Sequence, residues 1–326
     1  MVKPSRRKFL NVAAGAATLL VPARIAHAQS YPSRSVRIVV GFAPGGGNDI
    51  VARIIAQSLS ERTGQQFFVE NRPGAGTNIA TEIVVNAAPD GYTLLLAGVP
   101  NAYNAALYHE LKFNFIRDIA PVAGVARGPL VMLVHPLVPA KTVPEFIAYA
   151  KANPGKINMA SSGIGGGGHL AGELFKMLAG VNLVHVPFRG NGPALTALLG
   201  GQVDLLFPSL ASSIAYIKSG QLRGLGVTAA TRSDAVPELA TVGEFVPGYD
   251  VDAWYGIGAP KGTPAEVIDR LHNEVGAGLA DPKLKARFAD LGDAPMPMTP
   301  AEFGKLIADE TEKWGNVVKF AGIKLE

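Results

Sequence analysis

The chain has 326 residues, with 30 Lys and Arg against 26 Asp and Glu, and it contains no cysteine. Disulfides and thiolate metal sites are therefore excluded. Five of the 30 basic residues (Lys3, Arg6, Arg7, Lys8 and Arg24) precede residue 29, which leaves 25 against 26 acidic ones; so near-neutral a balance removes the electrostatic case for a nucleic-acid partner.

Residues 1–28 read as a cleavable export signal. Ser5-Arg6-Arg7 with Phe9 and Leu10 forms a charged start of twin-arginine type, and the Ala/Gly-rich stretch Val12 to Val21 follows. That stretch falls short of the roughly 20 apolar residues a membrane span needs. Ala26-His27-Ala28 supplies the small-x-small cleavage site, with Gln29 as the new N-terminus. A general secretory signal that carries two adjacent arginines is the alternative route. Either route delivers the chain to the periplasm.

From Ser35, short β-branched runs alternate with amphipathic stretches. Val36 to Phe42 reads as a strand, Ile50 to Arg62 as a helix, Gln66 to Val69 as a strand, Ile79 to Ala87 as a helix, and Thr93 to Leu96 as a strand. A second series runs through strand Ile157 to Ser161, helix His169 to Ala179, strand Leu183 to Pro187, helix Pro193 to Leu199, strand Val203 to Phe207, helix Ser212 to Ser219 and strand Leu222 to Thr228. Thr142/Glu145, Thr263/Glu266 and Thr299/Glu302 have capping-box spacing and predict helices Val143 to Asn153, Pro264 to Leu279 and Pro300 to Phe320. Such alternation predicts an α/β chain with parallel or mostly parallel sheets covered on both faces. Extended runs near Pro129 to Val134 and Asp252 to Gly258 join the two series. They divide the chain into one lobe of residues 29–130 plus 252–326 and a second of residues 131–251.

Two glycine-rich segments each follow a strand and open a helix. They are Phe42-Ala43-Pro44-Gly45-Gly46-Gly47-Asn48 and Ser161-Ser162-Gly163-Ile164-Gly165-Gly166-Gly167-Gly168-His169. Glycine lets backbone approach a ligand, and the unpaired N–H groups of a helix start attract an anion. Neither segment holds Lys or Arg, so the charge would be met by backbone dipoles and by the hydroxyls of Ser161 and Ser162. This suits a carboxylate better than a polyphosphate. Tight βα connections without a ligand remain the structural alternative. Gly163-x-Gly165-x-x-Gly168 also matches the dinucleotide fingerprint, yet the acid expected about 20 residues on is absent.

Other candidates are single residues. His169 stands beside the second segment, as a helix-start residue or a base. Asp204 could orient a ligand amino group or bond nearby backbone. Trp254 and Tyr255 lie at the second crossing, as cleft wall or as core. His109, His135, His185 and His272 are scattered without ligand spacing, no Gly-x-Ser-x-Gly or Walker A sequence occurs, and neither cofactor nor metal is expected.

Together Phe42-x-Pro44-Gly45-Gly46-x-x-Asp49, Glu70-Asn71-Arg72-Pro73-Gly74, Pro89-Asp90-Gly91-Tyr92, Ser161-Ser162-Gly163-x-Gly165, Val186-Pro187-Phe188-Arg189-Gly190, Gly200-Gly201-Gln202-Val203-Asp204 and Ala259-Pro260-x-Gly262-Thr263-Pro264 resemble the Bug-type, or TctC-like, substrate-binding receptors of tripartite tricarboxylate transporters. The resemblance covers essentially the whole mature chain. It implies a two-lobed periplasmic binding fold of type II, a ligand in the interlobe cleft, and a non-enzymatic monomer. That receptor would capture a dicarboxylate, amino acid or aromatic acid for membrane permease subunits. It also implies that one ligand carboxylate is gripped by main-chain N–H groups near Phe42 to Asn48 and Ser161 to Gly165. Asn101, Tyr103 and Trp254 are the expected specificity positions. Family members often place a hydroxyl after the second loop glycine, whereas Gly166 to Gly168 offer none. An exported α/β hydrolase using His169, Asp204 and a loop serine, and a ligand sensor for a signalling partner, are the rival functions.

Overall fold

The computed structural model describes residues 31–108 and 110–320; residues 1–28, expected to be an export signal, and His109 lie outside them. The first half is built as the apolar runs require. β1 (Val36–Val40) is buried along almost its whole length and runs parallel to β2 (Phe67–Asn71) and β3 (Thr93–Gly98), with Ile38 level with Val69 and Leu94. A strand covered on both faces has no need of polar alternation. The covering helices are α1 (Gly47–Thr63), α2 (Asn78–Val85), α3 (Val99–Leu107) and the short α4 (Phe115–Asp118).

β4 (Ile119–Pro129) then leads directly into β5 (Val131–Val134) of a second sheet. That sheet adds α5 (Val143–Ala152), β6 (Asn158–Ser161), α6 (Gly167–Ala179), β7 (Val184–Pro187), α7 (Asn191–Leu199), β8 (Leu205–Leu206), α8 (Leu210–Lys218) and β9 (Arg223–Val227). The chain returns through β10 (Asp252–Pro260) and ends with α9 (Ala265–Ala280), α10 (Pro282–Asp290), β11 (Ala294–Met298) and α11 (Pro300–Phe320). The strand orders are β11-β4-β10-β3-β1-β2 in the six-stranded sheet and β7-β6-β8-β5-β9 in the five-stranded one. Each sheet is the centre of one lobe.

The sheets are mixed, which corrects the expectation of mostly parallel pairing. β10 is antiparallel to both β3 and β4, β11 to β4, and β5 to both β8 and β9. The connecting strands enter each sheet against the direction of its βα units. Two of the three capping boxes also differ. Thr299 and Glu302 exchange both bonds. At α5 the Thr142 hydroxyl caps Glu145, but the Glu145 carboxylate turns to the Lys141 amide. Thr263 donates to Pro260 O within a turn, and Pro264 is the residue before the helix.

Aromatic packing ties the last helix to the seam between the lobes. Trp254 of β10 meets Phe303 edge-on at 5.7 Å, Tyr103 of α3 lies 5.9 Å from Trp314, and both indoles donate to Glu310 Oε2, at 3.2 and 2.8 Å. One carboxylate thus satisfies two buried donors that would otherwise each cost about 1–3 kcal/mol. The five-stranded lobe has its own aromatic knot, where Phe175 packs against Phe146, Phe207 and Tyr249.

Candidate functional site

The first glycine-rich loop is shaped by Asp49, in the first turn of α1 and 4% exposed. Its carboxylate accepts the Gly45 amide and Arg53 Nε, each at 3.0 Å, and Asn71 Nδ2 at 3.0 Å. Asn71 Nδ2 also donates to Phe42 O. Burial alone would raise the Asp49 pKa, but the Arg53 guanidinium, the Gly45 amide and Asn71 outweigh it and hold the carboxyl below its usual range. The loop therefore folds back on its own helix, with Gly45 at φ +85°, a conformation glycine adopts without strain. Gly45 has spent its N–H on Asp49 and Pro44 has none. The amides left to face outward are those of Gly46, Gly47 and Asn48, at the start of a 17-residue helix.

The second loop is held by side chains of both lobes. Ser161, fully buried, donates to Gly163 O and accepts from the Gly163 amide, and its Oγ lies 2.6 Å from His185 Nε2. The His185 ring stacks on His169 with centroids 4.0 Å apart. His169 Nδ1 accepts the Gly165 amide at 3.2 Å, while the Tyr103 hydroxyl, from the other lobe, donates to Gly165 O at 2.8 Å. Both peptide groups flanking the Gly165 α-carbon are thus fixed. Burial pulls both imidazoles down to about 4, helped at His169 by Lys176 and at His185 first by His169. Neutral His169 is a fastener of the loop. The amides of Gly163, Gly165 and Gly166 are all spent within the loop; of the glycines in the run, Gly167 and Gly168, at the start of α6, keep theirs free of the loop.

These loops meet at a cavity of about 40 Å³ between the lobes. The starts of five helices border it: Asn48 of α1, Val99 and Pro100 of α3, Gly167 and Gly168 of α6, Asn191 of α7, and Ser209, the N-cap of α8. Each of these helices has at least nine residues. A helix start carries about half a positive charge, so five of them favour an anion here with no Lys, Arg or His in the lining; the one acid of the lining, Asp252, is paired with Arg127. Phe42, Tyr103, Trp254, Tyr255 and Trp314 supply aromatic walls, and Asn191 Oδ1 is buried without a hydrogen-bond partner. The lobes are shut on one another here. The Ala43 amide donates to Arg189 O at 3.1 Å, and Ser209 Oγ and the Tyr255 hydroxyl both stand close against Gly47 at the seam.

Of the expected residues, Phe42, Asn48, Ser162 and Trp254 line this cavity, with Tyr103; Gly46 and Gly47 stand at the same helix start. Six of the other expected residues lie outside the cavity lining. Asn101 is 4% exposed and spends its amide on the Gly98 N–H and the Thr77 and Thr81 hydroxyls. Asp204 accepts the Asn158 amide at the first residue of β6, the end away from Ser161. Ser161, Gly163, Gly165 and His169 build the second loop from beneath and do not border the cavity. Sequence reasoning missed Asn191, Ser209 and the Val99–Pro100 start. Their signal was the same strand-to-helix turn at Gly98, Gly190 and Ser209, only without a run of glycines. Ligands of α/β sheets favour such strand ends. Among the described residues no three His, Cys, Asp or Glu side chains are grouped to hold a metal ion.

Comparison with known proteins gives the family and the fold. The family described as tripartite tricarboxylate transporter family receptor matches residues 51–323. The chain is 34% identical over 302 residues to Protein BugT of Bordetella pertussis, covering 92% of this chain and 93% of that protein. Among solved structures it is similar to Rpa4515 of R. palustris with adipate (35% identity, TM-score 0.88, 90% of this chain and 99% of that one). It is equally similar to the periplasmic binding protein BugD (35%, 0.88, 91% and 100%). MatC from Rhodopseudomonas palustris with bound malate gives 33% identity and a TM-score of 0.84, over 88% of this chain and 100% of that one. The two-lobed fold expected from the sequence is the fold of these neighbours.

Proposed function

We propose, since this chain belongs to the tripartite tricarboxylate transporter receptor family, that it captures a small carboxylate in the interlobe cavity and presents it to membrane permease subunits. The observation that carries this is the convergence of five helix starts on a cavity without a cationic side chain. A carboxylate there receives backbone N–H groups from both lobes, so its binding favours the closed arrangement over the open one. The adipate and malate held by the two R. palustris neighbours support the same class. The moving bodies are residues 29–130 with 252–326 and residues 131–251, hinged where β4 passes to β5 and where β10 begins. The protein works as a periplasmic monomer after removal of residues 1–28, and it makes and breaks no covalent bond. For a hydrolytic alternative, Asp204 stands at the wrong end of β6 and Ser161 is sealed beneath its loop.

Isothermal titration of ligand-stripped protein against adipate, malate, amino acids and aromatic acids, each beside its neutral amide, tests this reading. Binding of at least one acid and none of the amides is expected. Equal binding of an acid and its amide, or no binding across the panel, would overturn it. Tyr103→Phe tests the closed arrangement separately. It leaves Gly165 O unpaired in the buried seam, at a cost of about 1–2 kcal/mol. Roughly tenfold weaker binding is expected, and stopped-flow measurement should find it in the dissociation rate with association unchanged.

A further inference from the structure

Asp293 lies at the seam between the lobes, apart from the carboxylate site. It follows the turn after α10 and is 4% exposed, and both its carboxylate oxygens are buried with no hydrogen-bond partner. Gly128 of β4 makes room for it, since a Cβ there would collide with Asp293 Oδ1; one on the adjoining Gly292 would collide with Leu210 of the five-stranded lobe.

The charged and titratable groups around it leave it alone. On the inner side is Tyr255, whose hydroxyl is kept protonated by burial. On the outer side is a groove of about 790 Å³ walled by both lobes, bearing Arg127, Asp252, Arg232, Asp234 and Lys285. Arg127 is bound to Asp252 and Arg232 to Glu244, each at 2.8 Å, and none of these groups bonds Asp293.

An ionised carboxylate buried without a donor is strongly disfavoured, and such a group stays neutral instead. We propose that Asp293 is a proton-binding site of the closed form, filled when the lobes come together, so that ligand capture is linked to proton uptake. This rests on the proposed opening and closing of the lobes. Burial lifts the Asp293 pKa to about 7, against about 3.9 for a free aspartate. Closure therefore takes up a proton between roughly pH 4 and 7, and affinity falls by as much as about tenfold per pH unit across that window.

The test is titration calorimetry of wild type and Asp293→Asn with adipate, or malate if only that binds, from pH 5 to 8 in two buffers of different ionisation enthalpy. The ratio of wild-type to variant affinity is expected to fall at least tenfold between pH 5 and 7, with more protons taken up per ligand by wild type than by the variant. A ratio that stays constant overturns the proposal. If neither acid binds either protein, the titration is repeated with whichever acid of the panel does bind, and carbon-13 NMR of the Asp293 carboxyl in that complex reads the proton site directly. A midpoint near 7 in the complex supports the site, and one below 5 there refutes it.

Discussion

A Gly47→Ala variant is expected to bind its ligand ten- to a hundredfold more weakly and to melt no earlier than the parent. Gly47 is the first residue of α1. A Cβ built there would collide with Ser209 Oγ of the opposite lobe and come within 2.6 Å of the Tyr255 hydroxyl. Neither can retreat easily, because Ser209 is buried with its hydroxyl spent on Ser212 Oγ and Tyr255 is buried within β10. Overpacking of this kind costs about 1–3 kcal/mol, which the open form escapes, so the whole cost appears as lost affinity, about tenfold for each 1.4 kcal/mol. The neighbouring Gly46 is the control. Its Cβ would lie 3.3 Å from Asn191 Cβ, a contact small shifts accommodate, so Gly46→Ala should lose only a few-fold. Calorimetric titration of both variants against the acid bound by the parent decides the matter. Equal losses would mean that closeness of the lobes at Gly47 is not what limits closure.

The contrast between these glycines shows where sequence reading stops. That Gly46 and Gly47 open a helix was legible, because a β-branched run ends at Val40 and an amphipathic run follows. That Gly47 faces Ser209 was not, since the two are brought together by the return of β10 between the lobes. The same holds for β11, which carries Pro295 and Pro297 and reads as loop; as an edge strand paired only with β4 it tolerates residues that lack an N–H. α3 escaped notice although Pro100 suits the first turn of a helix. Local strength of signal also misled. Gly163, Gly165 and Gly166 are conspicuous in the sequence but spend their amides on the loop itself, while the single residues Asn191 and Ser209 border the cavity with Gly167 and Gly168. His185 showed no pattern at all, because it reaches Ser161 from the next strand of the sheet.

Acid should loosen the second loop, through His169 and His185. Both are neutral in the folded protein, with pKa values lowered to about 4 from the ordinary 6.5, chiefly by burial. Above about pH 7.5 neither imidazole carries appreciable charge in the folded or the unfolded chain, so this pair adds almost no pH dependence there. Between pH 6.5 and 4 the unfolded chain binds protons that the folded chain refuses, and stability falls by up to about 1.4 kcal/mol per pH unit for each histidine. The rings are stacked at 4.0 Å, so the second proton is resisted more than the first, and both rings are partly screened by solvent. The total is then of the order of a few kcal/mol. Asp293 acts with the opposite sign, because its raised pKa lets the folded chain gain protons first as the pH drops from about 7. Comparison of the parent with a His169→Gln/His185→Gln double variant isolates the histidines. In urea unfolding the parent should lose more stability than the variant from pH 6.5 to 4, and the two curves should run parallel above about pH 7.5. Protonated His169 can no longer accept the Gly165 amide, so ligand release should accelerate over the same range in the parent alone. Parallel curves throughout would show that the histidines are already charged, and that the Gly165 amide is held by something other than a neutral ring.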